Sequence, residues 1–162
     1  GNKLRIEGQY LKGEKFNGKG FDKLGNIVYE IKKGNGRVKE YNYKGEFVIF
    51  EGDYLNGEKN GIIKEYYDNG QLKIECRCLN GEKNGKAKEY YDNGKLKFEG
   101  EYLNGERNGK AKEYHYNGKL KFEGQYLNGK KNGKAKEYYY SGELKFNGEY
   151  LNGEKRPNKF YY

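Results

Sequence analysis

Residues 82–105 read EKNGKAKEYYDNGKLKFEGEYLNG, and residues 106–129 follow at once as ERNGKAKEYHYNGKLKFEGQYLNG, with only four differences between the two. Self-similarity at a fixed period marks a repeat architecture, in which each unit buries its apolar face with the help of its neighbours. Within one unit, KAKEYYDNGKLKFEGEY (86–102) reads as two short strands around Asn93-Gly94, a pair suited to a tight type I′ turn. A helix is excluded, because Gly recurs every few residues, Tyr and Phe favour strands, and no stretch of ten residues keeps a 3.6 period.

Counting outward from that turn pairs Tyr91 with Leu96, Tyr90 with Lys97, Glu89 with Phe98, Lys88 with Glu99, Ala87 with Gly100 and Lys86 with Glu101. One face then carries Lys opposite Glu twice, each pair weakly favourable when exposed. The other carries Tyr91, Leu96, Phe98, Tyr102, the small pair Ala87/Gly100 and Glu89.

Beyond this unit, the tripeptide LNG recurs with its Gly at 57, 81, 105, 129 and 153, always 24 residues apart. The stretch 37–55 holds one extra residue between Gly45 and Gly52, expected to form a bulge. Six hairpins are expected, near 19–32, 37–55, 62–79, 86–103, 110–127 and 134–151, joined by LNGEKNG-type loops. An N-terminal strand near 4–11 and a closing strand KFYY bring the expected total to about fourteen strands, each adding about 4.8 Å of sheet. The expected fold is all-β: a single-layer antiparallel β-hairpin repeat forming an elongated, curved sheet or solenoid. It is one domain over 1–162, with divergent repeats in 1–49, regular 24-residue repeats in 50–153 and a C-terminal cap in 154–162. In that cap Arg156-Pro157 replaces the usual Asn-Gly, and Pro protects a sheet edge because it cannot donate to a ladder.

Composition fits this reading. Only 33% of the 162 residues are hydrophobic and 35% are charged, yet 19 Tyr and 8 Phe concentrate apolar area in large rings at regular positions, unlike a disordered chain. The formal charge of +9 arises from 33 bases interspersed with 24 acids, without a basic block, which reads as a solvated face. No apolar run reaches the length of a signal core or a membrane span. The chain starts inside a motif without Met, so a piece of something longer is expected, with a cytoplasmic location and membrane association only at the periphery. Cys76 and Cys78 stand where other units have Gly and Tyr, and read as small packed residues rather than a disulfide or a metal site. The lone His115 replaces Tyr91 of the preceding unit and reads as a structural ring.

The stretches FEGEYLNGERNGKA (98–111), FEGDYLNGEKNGII (50–63) and FEGQYLNGKKNGKA (122–135) resemble the MORN repeat, including its YwqK-type antitoxin-like subset. Here Ala87, Ala111, Ala135 or Ile63 stands at the last Gly of that pattern, and Tyr takes the place of Trp. The resemblance implies a β-hairpin repeat whose groove takes up a helix or extended segment of a partner protein, with acidic lipid as a second class of ligand and an antitoxin or immunity role as a further one.

The small residues make the aromatic face the expected concave side. Two columns flank it: Tyr67, Tyr91, His115 and Tyr139 on one strand of each hairpin, and Phe50, Ile74, Phe98, Phe122 and Phe146 on the other. A single-layer sheet needs cover for its apolar face, supplied either by its own side chains or by a partner. An acidic column of Glu65, Glu89, Glu113 and Glu137 lies on the same face, paired either with nearby Lys or with a basic partner. Enzymatic activity has no support: one His, no nucleophile-base set and no phosphate loop are present, and no cofactor is expected. The leading reading is a non-enzymatic scaffold that binds a protein segment in the aromatic groove. The alternatives are binding to acidic membranes through the Lys-rich face and, more weakly, single-stranded nucleic acid. The open ends of a repeat sheet also allow an end-to-end homodimer. Of the four differences between 82–105 and 106–129, only Tyr91 to His115 is expected to alter the aromatic groove.

Overall fold

The computed structural model of the chain describes residues 5–11, 14–22 and 24–156. Among them there is no helix, and fourteen β-strands follow one another in hairpins. Two compact bodies divide the chain, Gly1–Glu82 and Lys83–Tyr162. The first holds an antiparallel sheet of β1 (Arg5–Leu11), β2 (Glu14–Phe21) and β3 (Ile27–Ile31), then a meander of β4 (Gly36–Tyr41), β5 (Val48–Leu55), β6 (Glu58–Tyr66) and β7 (Leu72–Leu79). In the second, β8 (Glu82–Tyr90), β9 (Leu96–Leu103), β10 (Glu106–Tyr114), β11 (Leu120–Leu127), β12 (Lys130–Tyr138), β13 (Leu144–Leu151) and the short β14 (Glu154–Arg156) pair in chain order. The expected Pro157 stop and KFYY strand lie outside the described residues.

The central register is the expected one: Lys86 faces Glu101, Ala87 faces Gly100, Lys88 faces Glu99 and Glu89 faces Phe98. The turn is not. Tyr90 pairs with Leu96, leaving Lys97 as an extra residue. The loop closes with Tyr91 N–H donating to Lys95 O (2.8 Å) and Gly94 N–H to Tyr91 O (2.9 Å). Only Gly94 takes a positive φ (80°) there, the pattern of a three-residue loop that ends in a left-handed Gly. The Asn93 side-chain oxygen, which accepts from Lys95 N–H at 3.0 Å, holds the loop in this form.

The two-residue type I′ turn sits instead in the LNG tripeptide. Asn104 and Gly105 both have positive φ (48° and 81°), and Leu103 faces Glu106. Asn accepts this conformation more readily than other non-Gly residues, since its short side chain bonds locally. The expected LNGEKNG loop is therefore a tight turn followed directly by strand. Strand β10 runs through Asn108-Gly109, where two surplus residues between Arg107 (facing Tyr102) and Ala111 (facing Gly100) are absorbed with Gly109 at φ 81°. The extra residue of 37–55 likewise falls in the loop and not in a bulge of its own. Asn42 N–H reaches on to Phe47 O (2.8 Å), and the buried Asn42 side-chain oxygen accepts from Glu46 N–H at 2.9 Å.

The buried residues line one face. Phe98 and Phe122 are fully buried, accompanied by Phe50, Ile74, Ala87, Ala111, Ala135, Tyr102, Tyr126 and Tyr150. A Cβ added at Gly124 would lie 2.7 Å from the Ala135 Cβ and 2.8 Å from Phe122 Cζ. The Phe98 and Phe122 rings thus lie back over Gly100 and Gly124, two residues along their own strands, and the small pairs Gly100/Ala111 and Gly124/Ala135 make the slots that hold them.

Candidate functional site

The aromatic face is built in tiers that recur with the repeat. In the tier of β9 and β10, the Phe98 ring meets the Tyr102 ring edge-on at 5.8 Å and that of Tyr126 at 6.5 Å. The Arg107 guanidinium lies 3.9 Å from the Phe98 centroid. It also bridges two carboxylates, Glu113 at 2.8 Å and Glu89 at 3.4 Å. Lys131 repeats the arrangement over Phe122 (4.0 Å), Lys155 over Phe146 (4.6 Å) and Lys59 over Phe50 (4.7 Å). A cation against the ring face is attracted by the π quadrupole, more strongly when water is excluded.

The acidic column closes each tier from within. Glu137 accepts from Lys131 (2.8 Å), Lys155 (2.7 Å) and the Tyr150 hydroxyl (2.6 Å). Glu113 accepts from the Tyr126 hydroxyl at 2.5 Å, Glu89 from the Tyr102 hydroxyl, and Glu65 from Lys59 at 2.7 Å. Burial by itself would raise the Glu137 pKa, but the hydrogen bonds from Lys131, Lys155 and Tyr150 outweigh it and hold the carboxyl at about 2. Burial, reinforced by the bond to Glu89, pushes the Tyr102 phenol up to about 12. Of the two ways the sequence left open for this column, these contacts are the internal one.

The other aromatic column behaves differently. The Tyr91 hydroxyl donates to Tyr114 O at 2.8 Å, one hairpin further on, and His115 Nε2 makes the matching bond to Tyr138 O at 3.0 Å. Their rings meet Tyr116 and Tyr140 edge-on at 5.1 and 5.3 Å. Tyr67, Tyr91 and His115 keep partial exposure, and Tyr139 is 51% exposed. Lys73, Lys97 and Lys145 stand over the Tyr67, Tyr91 and Tyr139 rings at 5.8, 5.7 and 5.5 Å. Each body therefore has its own buried floor and solvent-reaching rim: Phe50 and Ile74 with Tyr67 in the first, and Phe98 and Phe122, with Phe146 half-buried at the end, beside Tyr91, His115 and Tyr139 in the second.

Tyr102 was placed on this face from sequence, though not in either column, and with Tyr126 and Tyr150 it belongs to the tiers. The cations Lys59, Arg107, Lys131 and Lys155 were missed, and their shared 24-residue spacing was the available signal. The change of Lys83 to Arg107 accordingly alters the aromatic face as well, contrary to the expectation that His115 alone does so. Cys76 and Cys78 are fully buried thiols of β7, with no disulfide between them.

The family described as MORN repeat variant matches residues 59–77, 83–104, 107–128 and 131–152, more than half of the chain. No curated protein matches the chain.

Proposed function

The chain belongs to the MORN repeat variant family, a family of non-catalytic interaction repeats, and on that premise we propose that it is a non-enzymatic scaffold that binds a segment of a partner protein along its aromatic face. The observation that carries this reading is the division of that face into floor and rim. Phe98 and Phe122 are fully buried under Arg107 and Lys131, so they support the surface without touching a partner. Tyr91, His115 and Tyr139 recur one repeat apart and keep solvent-facing ring surface; Tyr91 and His115 are fixed from behind by bonds to the next hairpin and by edge-on ring contacts, and Lys145 stands over the Tyr139 ring. Rigid, half-exposed aromatic rings make good anchors, because they bring large contact area at small cost in side-chain freedom.

Peripheral membrane binding is the second reading, and the Lys-rich face gives it little to stand on. Lys64 lies 3.4 Å from Glu75 and 3.9 Å from Glu51, and Lys136 lies 3.7 Å from Glu123, so the charge there is balanced across the strands. The test is selection of binders to the full chain from a random-peptide display library, followed by affinity measurements on Tyr91→Ser and Tyr139→Ser. Selected peptides are expected to bind these variants at least tenfold more weakly, with the circular dichroism of the chain unchanged. Unchanged affinity in both would remove the rim from the binding surface.

A further inference from the structure

Charge separates the rim of the second body from the rest of its surface. The three loops that carry this rim, 91–97, 115–121 and 139–145, hold Lys95, Lys97, Lys119, Lys121 and Lys145, all exposed, against only Asp92 and Glu143. Lys97 and Lys145 make no ion pair among the described residues and stand over the Tyr91 and Tyr139 rings. Lys95 and Lys119 each donate to a carbonyl one repeat on, Asn117 O at 3.0 Å and Ser141 O at 2.6 Å. An ammonium has three donors, so both remain charged with further donors to offer. Lys121 lies 3.9 Å from Glu113, a carboxylate that already accepts from Arg107 and Tyr126. Elsewhere the charges are matched. Glu89, Glu113 and Glu137 are held within the tiers by Arg107, Lys131 and Lys155. On the opposite face Lys86, Lys112 and Lys134 stand across from Glu101, Glu123 and Glu149.

The corresponding loops of the first body are balanced, with Lys44 and Glu46 in one and Asp68 and Lys73 in the other. Between 67–73 and 115–121, Asp68 gives way to Tyr116 and Gln71 to Lys119, so a ring and a base replace an acid and an amide. Tyr116, Tyr139 and Tyr140 are each about half exposed. The rim of the second body thus joins apolar ring surface to a local excess of positive charge. Resting on the reading of that rim as a protein-binding surface, and narrowing it, we infer that its partner is an acidic segment. Asp and Glu carboxylates of the segment pair with Lys97, Lys119, Lys121 and Lys145 through charge-assisted hydrogen bonds, and its apolar side chains lie against Tyr116, Tyr139 and Tyr140. Other anions fit less well. A stacked base needs the ring faces over which Lys97 and Lys145 already stand. A layer of phosphates, in a membrane or a nucleic acid, sets negative charge against Asp92 and Glu143 as well as against the lysines. A protein segment places carboxylates only where the lysines are.

Display selection on the full chain, followed by fluorescence anisotropy with a labelled selected peptide, tests the inference apart from the rim itself. Selected peptides are expected to be enriched in Asp and Glu and to bind more weakly as salt rises. Replacing their Asp and Glu by Asn and Gln is expected to lower affinity at least tenfold, as is Lys97→Gln combined with Lys121→Gln in the chain. Lys110→Gln combined with Lys134→Gln makes the same charge change on the opposite face and is expected to leave affinity within twofold. Circular dichroism is expected to be unchanged in both. Peptides without acidic enrichment that still bind at least tenfold more weakly to Tyr91→Ser and Tyr139→Ser would overturn the acidic partner and leave the rim standing. Peptides indifferent to both Tyr substitutions would remove the rim, and the inference with it. Equal losses in the two Lys pairs would overturn it by reducing the effect to net charge. Tighter binding of the oligonucleotide (dT)15, or of phosphatidylserine vesicles, lost on the Lys97 and Lys121 substitutions, would overturn it in favour of phosphate.

Discussion

Arg107 shows how a single residue links the tiers of this protein. Its guanidinium covers the Phe98 ring, bridges Glu89 and Glu113, and lies 5.7 Å from the Tyr126 centroid. Fully burying a Phe without a second layer of protein requires such a cover, and the polar cover must itself be satisfied by carboxylates and phenols. Phe98→Ala opens a cavity under that cover and is expected to cost about 3–5 kcal/mol in denaturant unfolding. Titration offers a second check at this scale. The folded pKa of Glu137, about 2, lies below its ordinary value of 4.5, so its contribution is present above pH 4.5 and is lost as the pH falls from there toward 2. Glu137→Gln should therefore lower stability at pH 7 and flatten the decline between pH 4.5 and 2, as read by urea unfolding at each pH. The Phe and Glu columns were legible in the sequence because period and strand parity place them. The cations were not, because Lys59, Arg107 and Lys131 sit just after a turn, and only the tight form of that turn brings them back over the preceding strand's Phe.

At the scale of elements, two kinds of Asn-Gly turn alternate along the chain, and the sequence invites confusion between them. Both carry Asn-Gly between strands, but LNG places two residues at positive φ whereas DNG places one, preceded by Asp92 and followed by an extra residue on the return strand. A two-residue and a three-residue loop give nearly the same register in mid-strand, which is why the central pairs were read correctly and the ends were not. The glycines separate by cause. Gly105 has φ 81° and open space around its missing Cβ, so Gly105→Ala meets only backbone strain, about 1–2 kcal/mol. Gly124 has ordinary dihedrals but no room, so Gly124→Ala forces Phe122 and Ala135 apart at about 1–3 kcal/mol. Adding Ala135→Gly should restore much of the loss in the second case and none in the first. Thermal unfolding of the two single variants and the two doubles distinguishes them.

On the scale of the whole molecule, each regular hairpin is tied to the next by bonds that recur about one repeat apart. Gly105 N–H donates to Lys83 O and Gly129 N–H to Arg107 O at the LNG end, both at 2.9 Å. At the other end Asn93 Nδ2 donates to Tyr116 O (3.2 Å) and Asn117 Nδ2 to Tyr140 O (2.9 Å). When neighbours supply the stability, whole repeats are interchangeable parts and fractions of one are not. Deleting residues 106–129 is expected to leave a cooperatively unfolding chain with a modestly lower midpoint, because 130–153 offers 82–105 nearly the same partners. Deleting 106–117 removes one strand and reverses the direction of all that follow, and is expected to abolish the transition. The sequence spoke clearly about this repeat logic but not about the surface it presents. Exposure of Leu103 and Tyr139, set against the burial of Phe98, depends on which side chains fold over which, and periodicity alone is silent on that.

The claim that this repeat protein binds through its aromatic rim is tested most directly by amide hydrogen exchange of the full chain, with and without a display-selected peptide. The account predicts added protection at residues 90–94, 114–118 and 138–142, with the 103–106 and 127–130 turns unchanged. Protection confined to those LNG turns, or spread evenly over the Lys-rich strands, would contradict it.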